Sequence, residues 1–130
     1  MNARPDLSQW LKEAKAHPDA GKVGMYLTHN GVVRETARAA VREGARDTAP
    51  VTGMRFSYDE AAISAAEEAA RQMDGVYYVR TWFNSGVLQP GDDIMFLLVG
   101  GDTRPHTVAA LESLLHRLKT ACVKEEEVFA

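Results

Sequence analysis

The run Ile94-Met95-Phe96-Leu97-Leu98-Val99 is the longest unbroken apolar stretch in this 130-residue chain. Six residues are far too few to span a bilayer, which takes about 20. They suit a strand, and a strand without polar alternation has to be covered on both faces. The turn Gln89-Pro90-Gly91-Asp92 precedes it and Gly100-Gly101 follows it. Whatever this chain folds into must therefore place structure on both sides of residues 94–99.

The rest of the pattern supplies that cover. Leu7, Trp10, Leu11 and Ala14 form one helical stripe, with Asp6 as N-cap and His17-Pro18 as the stop. Alternation of Val23, Met25 and Leu27 predicts a strand over 22–28, and Asn30-Gly31 predicts a turn. Residues 51–58 and 76–83 read as further strands. Between them Asp59 caps a helix over 60–73 whose small face holds Ala62, Ile63, Ala66, Ala69 and Ala70, and Asp74-Gly75 ends it. A last helix over 105–121 carries Val108, Leu111, Leu114, Leu115, Leu118 and Cys122 toward the core, and residues 123–129 suit a final strand. The order α-β-β-α-β-β-α-β gives an α+β sandwich with helices packed on a mostly antiparallel sheet. Residues 35–50 are polar, alanine-rich and basic, with Arg38, Arg42 and Arg46 following Arg34 at four-residue spacing; they read as a loop or frayed helix.

Composition narrows the class. The chain is 45% hydrophobic and 25% charged, which fits one soluble globular domain over 1–130, with 1–21 as a helical extension. A net charge of −3 gives no reason to expect nucleic acid as a partner. A single cysteine forms no intrachain disulfide, and the N-terminus lacks the apolar core of a signal peptide. The expectation is a cytoplasmic protein with no membrane association. The four histidines lack the close spacing of a zinc site, so no metal is expected.

Two places have the chemistry of a site. In Gly100-Gly101-Asp102-Thr103-Arg104-Pro105, glycines let the backbone approach a ligand, a helix N-terminus offers free N–H groups, and Arg104 offers a fork for phosphate or carboxylate. The same residues equally describe an ordinary turn, capped by Asp102 or Thr103 with Pro105 in the first helical turn. At the other end of that helix, Lys119 and Lys124 are candidates for acid, base or nucleophile. Lysines also gather at helix C-termini because they complement the dipole. On a continuous helix these two would stand about 140° apart, so they converge only if the helix breaks near Cys122. Cys122 continues the apolar stripe and reads as core. Arg34, at a strand end, is positioned either to line a pocket or to face solvent. Glu125-Glu126-Glu127 reads as a solvated face.

Several of these pieces resemble one family. Gly31-Val32-Val33-Arg34, Phe56-Ser57-Tyr58 before a helix, Gly86-Val87-Leu88-Gln89-Pro90-Gly91-Asp92 before an apolar strand, and Arg104 with Leu118-Lys119 are similar to the large, catalytic subunit of molybdopterin synthase, the MoaE family. The resemblance covers roughly residues 23–128. It implies an α/β hammerhead fold and a homodimer at the centre of a heterotetramer. Each large subunit would bind a small ubiquitin-like sulfur carrier ending in a Gly-Gly thiocarboxylate. Sulfur would pass from that group to cyclic pyranopterin monophosphate in molybdenum cofactor biosynthesis, with no cofactor of the enzyme's own. The resemblance makes Lys119 and Lys124 catalytic, and Arg34, Thr103 and Arg104 substrate-binding. The chain has Thr103 where most relatives have histidine. Its segment from Lys119 to Lys124 is two residues shorter and lacks their proline and tryptophan. Those departures keep open a non-catalytic relative, acting as a carrier-binding or regulatory module. An unrelated binder of phosphate ligands is a third possibility.

Overall fold

The computed structural model describes residues 1–38, 41, 44 and 49–130. Arg42 and Arg46, and with them half of the expected basic arm over 35–50, lie outside the described residues.

Helix α1 (Leu7–Lys15) is capped by the Asp6 carboxylate, which accepts hydrogen bonds from Ser8 and Gln9 backbone N–H groups. Strand β1 (Met25–Val32) follows after a short 3₁₀ turn at Ala20–Lys22. Next come β2 (Val51–Tyr58), α2 (Glu60–Arg71), β3 (Val76–Phe83), β4 (Gly86–Leu88) and β5 (Asp93–Gly101). Helix α3 (Arg104–Arg117) runs into a π-helical turn (Leu118–Cys122) and then β6 (Val123–Phe129). Asp59 caps α2 as expected, accepting from the Ala62 N–H, a contact typically contributing about 1 kcal/mol.

Among the described residues the strands form two antiparallel three-stranded sheets, ordered β1-β5-β3 and β4-β2-β6. The expected α+β architecture is present, with its strands divided between two sheets and the short β4 added. Strand β5 is the centre of the first sheet, and its unbroken apolar run is explained by its two faces. Ile94, Met95, Leu97 and Val99 belong to the main core with α2, α3 and the second sheet. Phe96 and Leu98 face the other way, under Trp10 and Ala14 of α1. Every residue from Ile94 to Gly101 is buried. Each fully buried large apolar side chain here is stabilising by roughly 1.5–3 kcal/mol. The N-terminal helix is thus a structural layer covering the sheet's second face.

Two boundaries differ from the sequence expectation. Asn30 and Gly31 are not a turn: they pair with Phe96 and Met95 inside β1. Pairing to the whole length of β5 overrides their local turn preference. Strand β4 was not anticipated. Three residues are too short to show a period, and it exists because Met54, Arg55 and Phe56 of β2 are there to pair with.

Among the described residues, no helix is long and apolar enough to cross a membrane.

Candidate functional site

The π-helical turn decides where Lys119 points. Leu118 and Cys122 are both buried, so the turn keeps its apolar residues inside while it widens. Thr120 Oγ1 donates to the His116 carbonyl at 2.9 Å, competing with the regular ladder. The Asp59 N–H takes the Cys122 carbonyl at 2.9 Å and ends the helix there. Such π turns often accompany functional positions. Burial pushes the Cys122 thiol up, so it is a poor thiolate and belongs to the core.

Lys119 lines a cleft of about 190 Å³ together with His29, Arg34, Arg38, Glu125 and Glu127. One water needs about 10–15 Å³ measured this way, so the cleft has room for a phosphate or a narrow peptide tail. Its floor is apolar, from Met54, Ile94 and Met95. Each polar group is aimed by its own backbone. His29 lies opposite Leu97 in the β1–β5 register, on the face turned toward the main core. Beside it Gly31 leaves space: a Cβ there would meet Met95 Cγ at 3.3 Å and the His29 ring at 3.8 Å.

Arg34 is placed by the Gly91-Asp92 turn. Gly91, at φ +92°, donates its N–H to the Val33 carbonyl at 2.9 Å, and the Val33 N–H donates to the Asp92 carbonyl at 3.1 Å. The Asp92 carboxylate closes the turn by accepting from the Gln89 N–H at 2.8 Å. The chain is therefore clamped at Val33, and Arg34 emerges at the mouth of the cleft.

Of the acidic run, only Glu126 is a solvated residue. In β6, Glu125 pairs with Phe56 and Glu127 with Met54, so both turn inward with those buried residues. Glu125, with a side chain only 11% exposed, accepts from Arg38 Nη2 at 2.6 Å and lies 3.9 Å from Lys119 Nζ. Glu127 accepts from the Arg38 backbone N–H at 3.0 Å. Three cations face two carboxylates, leaving the described cleft with one net positive charge. His29 adds none at neutral pH, because burial, and then the nearby Lys119 charge, hold its imidazolium below the ordinary histidine range.

Lys124 does not join this group. The helix breaks after Cys122, as convergence would require, but it breaks into a strand. Lys124 pairs with Ser57 and sits on the opposite face of β6 from Glu125, near Arg55 and Glu126. Strand alternation therefore parts it from Lys119.

Thr103 and Arg104 lie exposed at the start of α3. At 1.5 Å per residue the helix separates them from Lys119 by about 20 Å. The glycines before them serve packing. A Cβ on Gly101 would run into Thr107 Oγ1, and one on Gly100 would approach Tyr26 Cε1 at 2.9 Å. Both belong to β5, so the loop proper is only Asp102-Thr103. Thr103 occupies the N-cap position without a side-chain cap. Asp102 instead accepts from the Thr103 N–H at 2.6 Å and pairs with His106 Nδ1 at 2.7 Å. The positive end of the helix already holds a carboxylate of the chain's own.

Sequence reasoning found Arg34 and Lys119 but missed His29, Arg38, Glu125 and Glu127 as members of the cleft. The alternation of β6 was the available signal for the two glutamates. His29 gave none while Asn30-Gly31 read as a turn.

Comparison with known proteins agrees with this architecture. The fold matches a MoaE protein from Burkholderia ambifaria with TM-score 0.72 and 21% identity, over 99% of this chain and 86% of that one. It matches molybdopterin synthase from Staphylococcus aureus with TM-score 0.68 and 16% identity, over 84% and 77%. It also matches a complex of subunits 1 and 2 of molybdopterin-converting factor from Helicobacter pylori with TM-score 0.65 and 17% identity, over 96% and 80%. No curated protein matches the chain in sequence. The profile of the MoaE protein family matches residues 2–121, nearly the whole length, and the chain belongs to that family.

Proposed function

We propose that this chain is the catalytic subunit of a molybdopterin synthase, moving sulfur from the C-terminal thiocarboxylate of a small ubiquitin-like carrier to cyclic pyranopterin monophosphate. The observation that carries this is the clustering of Lys119, Arg34 and Arg38 around a narrow, net-positive cleft. Both the carrier's thiocarboxylate and the substrate's cyclic phosphate are anions, and cations held over an apolar floor attract them more strongly than solvated ones. Lys119 serves as the central amine, stabilising negative charge as it develops and moving protons. Arg34 binds the phosphate or the pterin. The structural relative from Helicobacter pylori is a complex of two subunits, which favours a small-subunit partner here as well.

Arg104 enters this scheme through a second copy. It is about 20 Å from Lys119 along α3, so both contact one substrate only if a homodimer brings Arg104 of one protomer to the cleft of the other. Thr103 would accompany it, contributing a hydroxyl. Lys124, on the far face of β6, has no role in the cleft of its own protomer.

Reconstitution with thiocarboxylated carrier and the cyclic pterin is the test. Molybdopterin formation by wild type and its loss in Lys119→Ala support the reading; equal rates in the two remove Lys119 from the mechanism. Mixing inactive Arg104→Ala with inactive Lys119→Ala restores activity if each site draws on both protomers. The alternative, a non-catalytic module that only binds the carrier, is favoured by the outward Lys124 and by Thr103. It predicts carrier binding with no product from wild type.

A further inference from the structure

We infer that His29 is the general base of this cleft, activating the water that frees the transferred sulfur from the carrier. The inference rests on the sulfur-transfer function proposed above. Atom balance creates the need for such a base. Once the thiocarboxylate sulfur has displaced an oxygen substituent from a carbon of the pterin, that oxygen leaving as water or with the opened phosphate ester, it is still bonded to the carrier's acyl carbon, as a thioester. The acyl carbon–sulfur bond must then break, and the acyl carbon must take its oxygen from water. The products are a carboxylate on the carrier and a thiolate on the pterin, with protons released to solvent. No oxidant or reductant is needed.

The cleft's described groups leave one candidate for the water's proton. Arg34 and Arg38 are permanently charged. Lys119 lies beside Glu125 as a cation. Glu125 is held between Arg38 and Lys119, and Glu127 accepts the Arg38 N–H. His29 reaches the cleft from β1, half-buried, and its ring makes no hydrogen bond to another described residue. Gly31 keeps the space beside that ring open. Burial and the Lys119 charge keep the imidazole unprotonated near neutral pH, as a base requires.

The step follows from this arrangement. His29 takes a proton from water as the oxygen adds to the acyl carbon. Lys119 stabilises the resulting oxyanion. On collapse, the electron pair of the carbon–sulfur bond leaves with sulfur, and the imidazolium returns its proton to the thiolate or to solvent. The pair at work is thus Lys119 with His29, supplied by β1 in place of a second lysine on β6.

Single-turnover reaction with thiocarboxylated carrier and cyclic pterin tests this in wild type and His29→Gln. In the variant, product formation should fall about 10²- to 10⁴-fold, and the carrier–pterin thioester should accumulate in acid-quenched mass spectra. Its pH–rate profile should lose the rise that marks deprotonation of the base, with KM little changed. A variant that matches wild type in rate and pH profile, without adduct, overturns the assignment. A wild type that makes no product removes the sulfur-transfer function, and this role with it. NMR titration of His29 gives a readout independent of turnover. Its pKa should lie below the ordinary histidine value and rise in Lys119→Met; the same titration in both proteins shows that the two groups do not face each other, and overturns the pairing.

Discussion

The two ends of α3 have similar credentials in sequence and opposite fates in structure. The N-terminal end has glycines, free N–H groups and Arg104; the C-terminal end has lysines that any helix terminus attracts. Yet the first is filled from within: Thr107 packs into the space Gly101 leaves, and Asp102 occupies the positive end beside His106. The second opens, because a π turn and a strand lead the chain away and leave Lys119 over a cleft. A helix end offers a binding place within its own protomer only where the chain has not already satisfied it.

The largest test of that contrast is chemical. Lys119→Ala should lower molybdopterin formation about 10²- to 10⁴-fold, while thermal unfolding moves little, because Lys119 is the distant partner of Glu125 at 3.9 Å and Arg38 still pairs with that carboxylate at 2.6 Å. A large loss of stability instead would make Lys119 structural. At the filled end, Gly101→Ala should destabilise by about 1–3 kcal/mol in urea unfolding, since its Cβ meets Thr107 Oγ1 and, at 3.2 Å, the Gly75 carbonyl. An unchanged midpoint would mean that the N-terminal end is looser than its packing implies. Lys124→Ala should change rate and stability by no more than about 0.5 kcal/mol, a little over twofold in rate. A loss as deep as that of Lys119→Ala would return it to the site.

The smallest effects separate the ends by pH. His29 binds its proton less readily folded than unfolded. Its contribution is therefore present above the unfolded value of 6.5 and is lost as pH falls from there through the lower folded value. Asp102 is ionised more readily folded than unfolded, chiefly through its bond to His106. Its contribution is present above 3.8 and is lost as pH falls below that through the folded value. Stability against pH should lose the first limb in His29→Gln and the second in Asp102→Asn. Both limbs surviving in both variants would break the assignment.

Much of the fold was readable residue by residue. Strands 51–58 and 76–83, the Asp59-capped helix and the doubly buried strand at 94–99 follow from period, capping and apolar runs, which are local properties. Asn30-Gly31 misled because pairing along β5 outweighed a turn preference, and that placed His29 on the wrong kind of element. The site was half legible. Arg34 and Lys119 stand at element ends with distinctive neighbours, and the Gly91-Asp92 turn now has a mechanical reason: it clamps Val33 and so sets Arg34. Glu125 and Glu127 were hidden in an acidic run, because only the register with Phe56 and Met54 turns them inward.

By itself the sequence determined the layers. Six consecutive apolar residues must be covered on both faces, and the stripes of three helices supply the cover. It also determined which chemistry is present, since cations near helix and strand ends are written in the residues. Only the tertiary structure decided which of those groups share a cleft. The side on which a strand residue projects depends on register and on where the preceding helix stops. The helix stops at Cys122 and successive residues of β6 then alternate, which is why Glu125 shares the cleft with Lys119 and His29 while Lys124 faces away.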